Sequence, residues 1–166
     1  YAIFANMLAD SYILPECIAR PGSFGGLMAL YEANFIKLAQ LVEGLEQRAD
    51  RDISLVDGDC TLYFAIEQRS KYTCEVRLTY LFDEPDGMVA DPDLLARVYF
   101  DARVVEVTGW RQAHRHELLR LLSRRYQQEL DLCWTRNMML GKWLDYLLER
   151  GHRFPAVAPI ADGTID

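Results

Sequence analysis

Arg97, Asp101, Arg103 and Glu106 fall in one short stretch of the chain and form a mixed-charge cluster around a proposed bend. Two guanidinium groups can make charge-assisted, bidentate hydrogen bonds to a carboxylate or phosphate, and two carboxylates can orient them or exchange protons. This is the candidate ligand-binding set, suited to a small anionic ligand. Alternating charge on a half-exposed strand also makes an ordinary surface ladder, and that reading stays open. A second group is purely basic: Arg111, Arg115, Arg120, Arg124 and Arg125 stand against Glu117 alone, flanked by Trp110 and Tyr126. The segment carries +4 and leaves −11 on the rest of a chain whose net charge is −7. Arg120, Arg124 and Arg125 are the candidate partner-binding residues, for an acidic protein or a small anion. Nucleic acid is disfavoured by the overall charge. The plain alternative is a solvated helix face, since Arg120 and Arg124 lie opposite an arc of leucines.

Other signals for chemistry are weak. His114 and His116 are two apart on a predicted helix and point to different sides, so they cannot share a metal, and His152 stands alone. Gly22, Gly25 and Gly26 precede a helix but follow no strand, which gives helix-start geometry and not a phosphate loop. No Walker, dinucleotide-binding, H-E-x-x-H or G-x-S-x-G pattern occurs, so no cofactor, no metal and no catalytic residue is assigned. Whether the protein is an enzyme stays open, leaning towards not. Asn34 and Asn137 sit on apolar helix faces, where a buried amide must find partners in the sheet or an adjoining loop.

Those residues need a scaffold, and 166 residues with 51% hydrophobic and 26% charged content suffice for one domain with its own core. No run approaches the roughly 18 consecutive apolar residues of a spanning helix. Cys17, Cys60, Cys74 and Cys133 make no C-x-x-C pair and no regular spacing, which fits free thiols in a reducing cytoplasm. The stretch Tyr1 to Ala9 has neither a basic n-region nor a small-residue cleavage site, so no signal peptide is expected, and Met7 is an alternative start.

Residues 1–22 read as an irregular arm and residues 152–166 as a tail, either side of a single domain over 23–151. Ser23 is an N-cap for a helix running to about Arg48, with Leu27, Leu30, Tyr31, Phe35, Leu38, Leu41, Val42 and Leu45 on one face. Asp57-Gly58 predicts a type I′ hairpin that pairs Ile53 with Leu62 and Leu55 with Cys60. A second hairpin through Arg69-Ser70-Lys71 pairs Cys60 with Tyr80, Leu62 with Leu78, Phe64 with Val76 and Ile66 with Cys74. It leaves Thr61, Tyr63, Ala65, Glu67, Thr73, Glu75, Arg77 and Thr79 on the opposite face. Asp83 to Asp93, with Pro85, Gly87 and Pro92, reads as a long mobile connection. A third hairpin turning at Asp101-Ala102 sets Val98 against Val105, Ala96 against Val107 and Arg97 against Glu106; a single strand bent by a bulge is the alternative. Helices follow at about Gln112–Gln128 and Arg136–Arg150, the second closed by Gly151.

The pieces Leu30-Tyr31-Glu32-Ala33-Asn34-Phe35, Lys71-Tyr72-Thr73, Arg97 to Val107, and Asn137-Met138-Met139-Leu140-Gly141-Lys142-Trp143-Leu144 through Gly151 occur in one order over about residues 24–151. In that combination the chain resembles the uncharacterised bacterial family typified by YqiB, a domain-of-unknown-function family. The resemblance implies a small cytoplasmic bacterial protein with no assigned activity. That family's pattern has His where Phe100 stands and an acidic-basic group near Leu132-Cys133, and both departures tell against chemistry at those positions here. The expected fold is α+β: a long N-terminal helix, a four- or five-stranded antiparallel meander, and two C-terminal helices packed on one sheet face. The expected function is a non-catalytic cytoplasmic adaptor or regulator that binds another macromolecule; the alternative is a small-anion binder or enzyme using Arg97, Asp101, Arg103 and Glu106. Oligomeric state is not legible.

Overall fold

The computed structural model describes residues 23–48, 51–85, 87–110 and 129–156. Its elements are α1 (Phe24–Leu41), β1 (Arg51–Ser54), β2 (Leu62–Arg69), β3 (Thr73–Glu84), β4 (Gly87–Tyr99), β5 (Val104–Trp110) and α2 (Glu129–Arg150). The five strands form one antiparallel meander in the order β1-β2-β3-β4-β5. The alternation of the strands sends Leu62, Phe64, Val76, Leu78, Leu94, Ala96, Val98, Val105 and Val107 into a core shared with Leu38 and Leu41 of α1 and Leu140, Trp143, Leu144 and Leu147 of α2. This is an α+β fold with helices on one sheet face. The expected helix at Gln112–Gln128 lies outside the described residues, as do the arm 1–22 and the tail beyond Ala156. The expected helix at Arg136–Arg150 is α2, which begins earlier, at Glu129.

Ser23 caps α1 as expected, its Oγ accepting the Gly26 N–H at 3.1 Å. The helix ends at Leu41 and not near Arg48, because Val42 turns extended and Gly44 takes φ +65°. The freed end is tied down by chain from beyond α2: Phe154 N–H donates to Leu41 O at 2.8 Å, and Glu43 N–H donates to Phe154 O at 2.9 Å. His152 and Phe154 are fully buried. The chain therefore stays in the core past Gly151.

Two registers differ from expectation. β1 pairs Ser54 with Leu62 and Ile53 with Tyr63, one residue away from the predicted pairing, so Ile53 and Leu55 are exposed and Ser54 is buried. Asp57-Gly58 does form a turn, Asp59 N–H donating to Val56 O at 3.2 Å, but only Gly58 has positive φ. A type I′ turn needs two such residues. The ladder thus closes short of the turn, at Ser54 and Leu62. β2 pairs Leu62 with Tyr80, Phe64 with Leu78 and Ile66 with Val76, two residues from the predicted pairing. A slip of two keeps every side chain on its face, and a bulge between Ile66 and Gln68 together with a tighter turn, Ser70 N–H donating to Thr73 O, absorbs it.

The β4–β5 hairpin is as predicted, with Val98 opposite Val105, Ala96 opposite Val107 and Arg97 opposite Glu106. Asp83 to Asp93 is not a loop. Its residues extend the β3–β4 ladder through Leu81–Ala90 and Phe82–Val89 to Glu84–Gly87. Pro92, which has no N–H to give, falls where the register shifts between Thr79 and Leu81, the position in a ladder that tolerates it.

Candidate functional site

The β4–β5 hairpin carries the mixed-charge group but does not gather it into one pocket. Arg97 lies on the sheet face away from the helices, where its guanidinium bonds Glu75 Oε1 of β3 at 2.7 Å. Glu106, its partner in register, instead accepts the Tyr99 hydroxyl at 2.8 Å. Burial, then that hydrogen bond, pushes the Tyr99 phenol above its ordinary pKa. Asp101 is exposed in the turn and accepts the Ala102 N–H at 2.9 Å. Arg103 closes the turn at φ +54°, the one non-glycine residue in the left-handed region among those described, and its guanidinium carbon lies 5.6 Å from the centroid of the Phe35 ring.

That last placement puts Arg103 on the wall of a cleft of about 420 Å³ between the end of α1 and the β4–β5 turn. Phe35, Val42, Leu45 and Phe100 supply apolar surface, and Arg103, Glu46 and Gln47 supply the polar groups. Carbonyls past the end of α1 would make this region negative. Two arginines cover them: Arg69 donates to Leu45 O at 3.0 Å and to Glu46 O at 2.8 Å, and Arg48 donates to Glu43 O at 3.1 Å. Arg69 also lies 5.9 Å from the centroid of the Phe100 ring.

A third polar group escaped the sequence reading. His152 Nδ1 is 3.0 Å from Ser54 Oγ, and His152 Nε2 is 3.4 Å from Asp59 Oδ2. Asp59 also receives Arg150 Nε at 3.3 Å, and Arg150 donates to Gly58 O. Burial favours the neutral Asp59 carboxyl, but the Cys60 N–H, the Tyr146 hydroxyl and Arg150 outweigh it and hold its pKa below the ordinary value. Burial holds His152 below its ordinary 6.5, against the pull of Asp59. The residue types are those of a serine nucleophile, base and orienter. The geometry is that of a tie, because Ser54 and His152 are 6% and 0% exposed and Ser54 Oγ already accepts the Arg153 N–H at 3.2 Å. An inward Ser on a strand flanked by Ile53 and Leu55 was the available signal, and it needed the register to be read.

The β3–β4 ladder is the fourth feature. Past Tyr80 and Leu94 none of the described residues of these strands joins the apolar core cluster, and the two strands continue as a ribbon. Phe82 and Met88 are exposed on it, at 38% and 59%. Residues 81–91 contain Asp83, Glu84, Asp86 and Asp91 and no lysine or arginine. The ribbon is therefore both apolar and acidic.

Arg120, Arg124 and Arg125, with His114 and His116, lie outside the described residues. Among the described residues no three His, Cys, Asp or Glu side chains converge to hold a metal ion. Cys60, Cys74 and Cys133 are unpaired. No helix of the described residues is long and apolar enough to cross a membrane. Comparison with protein families matches residues 37–153, most of the chain, to a family described as a protein of unknown function, DUF1249. No curated protein and no solved structure matches.

Proposed function

The chain belongs to the DUF1249 family, whose function is unknown, and from that premise we propose that it is a non-catalytic adaptor or regulator that binds a basic macromolecule through the β3–β4 ribbon. The observation that carries this is the exposure of Phe82 and Met88 on a two-stranded ladder in which Val89 stands opposite Phe82 and the carboxylate of Asp83 opposite Met88, so that the two apolar side chains lie on opposite faces of the ribbon. Apolar anchors on both faces of an acidic ribbon match a partner that clasps it in an apolar groove rimmed by Lys or Arg. A cytoplasmic location in a bacterium, as in YqiB-like proteins, is part of this proposal. So is a second surface at Arg120, Arg124 and Arg125 for an acidic protein or small anion, which rests on the sequence alone.

The experiment is the double variant Phe82→Ser with Met88→Ser, judged by complementation of a deletion strain beside a thermal melt. Both side chains lie outside the core, so the melt should stay near that of the unaltered protein while complementation fails. Full complementation would remove the proposal. The other reading, a small anionic ligand held by Arg97, Asp101, Arg103 and Glu106, is favoured by one observation only. Arg103 lines the cleft, whereas Arg97 and Glu106 lie on the far face of the sheet.

A further inference from the structure

We propose that the cleft between the end of α1 and the β4–β5 turn binds a small aromatic monocarboxylate, with Arg103 holding the carboxylate and Phe35 and Phe100 the ring. This goes beyond macromolecule binding at the ribbon and stands or falls separately from it. The first support is size and lining. About 420 Å³ lies within the range of pockets that hold small ligands, and the wall offers two aromatic rings, Phe35 and Phe100, beside the polar groups Glu46, Gln47 and Arg103.

Charge is the second support. The carbonyls of Glu43, Leu45 and Glu46 in the turn after α1, which would repel an anion, are occupied by Arg48 and Arg69. Arg48 is itself paired with Asp52. Arg103 makes no ion pair among the described residues, so its charge is available to a ligand. Glu46 lines the same cleft and disfavours a doubly charged anion such as a phosphate monoester. A single carboxylate fits what is left.

The third support is the backbone of Arg103. A residue at φ +54° in a hairpin turn is ordinarily Gly, Asn or Asp, and an arginine there meets a steric penalty that glycine avoids. The turn itself gains nothing from this side chain, which makes no hydrogen bond to it. What the conformation does is hold the guanidinium over Phe35 at the cleft wall. Strained residues of this kind concentrate where a side chain must be aimed.

The test is titration calorimetry on the full chain with 2-naphthoate, the isosteric 2-naphthamide and 1-naphthyl phosphate. Naphthoate should bind at least about tenfold tighter than the amide, the ratio expected when a charge-assisted pair is lost, and the phosphate should bind no tighter than the acid. Arg103→Gln should abolish the difference between acid and amide. That difference is read first on the unaltered chain, so a folding defect in the variant does not hide it. The ribbon variant Phe82→Ser with Met88→Ser should bind naphthoate as the unaltered protein does, which lets either idea fail alone. Equal binding of acid and amide, naphthoate binding untouched in Arg103→Gln, or no binding up to about 5 mM would each overturn the proposal.

Discussion

Asn137 Oδ1 accepts the backbone N–H of Val107 at 3.0 Å, so a side chain of α2 completes the hydrogen bonding of the edge strand β5. The same residue donates through Nδ2 to Cys133 O at 2.8 Å, and its own carbonyl accepts Asn34 Nδ2 of α1 at 2.9 Å. Both asparagines are fully buried. Two helices and the sheet edge are thus registered by two side-chain amides that meet at Asn137. Asn137→Ala leaves the Val107 N–H without a partner in an apolar setting, which should cost about 1–3 kcal/mol in a urea unfolding experiment. A loss within error would show that the edge does not depend on the amide.

Gly141 faces this junction. A Cβ built on it would lie 2.8 Å from Asn34 Oδ1, and Asn34 is not free to move away because it is bonded to Asn137. Helix propensity alone would make Gly141→Ala favourable by about 1 kcal/mol. The clash should reverse that and leave a net destabilisation of about 1–3 kcal/mol. Adding Asn34→Ala should relieve the clash, so the two changes should be clearly non-additive in a double-mutant cycle.

His152 gives stability a pH dependence of definite sign. Its pKa in the folded protein lies below the ordinary 6.5, mainly through burial, with Asp59 opposing and Arg150 assisting. Between the two pKa values the unfolded chain binds the extra proton. The contribution is therefore fully present above pH about 6.5 and is lost as pH falls from there towards the folded value. Asp59 shifts the same way in a lower window, its contribution lost as pH falls through and below the ordinary carboxyl range. Melting temperature should fall from pH 7 to pH 5, and His152→Gln should flatten that limb while lowering stability at pH 7.

Arg97 tests the ladder reading of the charged stretch. Its pair with Glu75 is short, but both groups are partly in water, with side chains 44% and 24% exposed. Exposed pairs contribute about 0.2–1 kcal/mol. Arg97→Ala should stay in that range and complement a deletion strain fully. Loss of complementation with an unchanged melt would return Arg97 to the list of binding residues.

How far the sequence spoke depended on whether the deciding interaction was local. The β4–β5 pairing was legible because both strands alternate strictly on either side of a short turn. The β2–β3 pairing was not, since a slip of two residues preserves both faces, and the turn closed between Ser70 and Thr73 together with the bulge at Glu67 decides between the two registers. β1 was misread by one because Ser54 points inward to meet His152, almost a hundred residues away. Pro85, Gly87 and Pro92 signalled a loop correctly in their chemistry, yet Pro92 sits at a register shift and Gly87 at the hairpin end, both places a ladder allows. Of the charged group, Arg97 and Glu106 were placed as neighbours in register and found bonded to others. The placement of Arg103 on the cleft wall needed two facts invisible in sequence: that α1 stops at Leu41, opening the cleft, and that the turn closes at positive φ.

The ribbon is the centre of this account, and site-specific photocrosslinking in cells tests it most directly. A photoreactive residue in place of Met88 should give one defined adduct with a protein whose contact region is basic, and Phe82→Ser should abolish that adduct. The same residue in place of Gln40, exposed on α1, should give none. No adduct from Met88, or the same adduct from Gln40, would contradict binding through the ribbon.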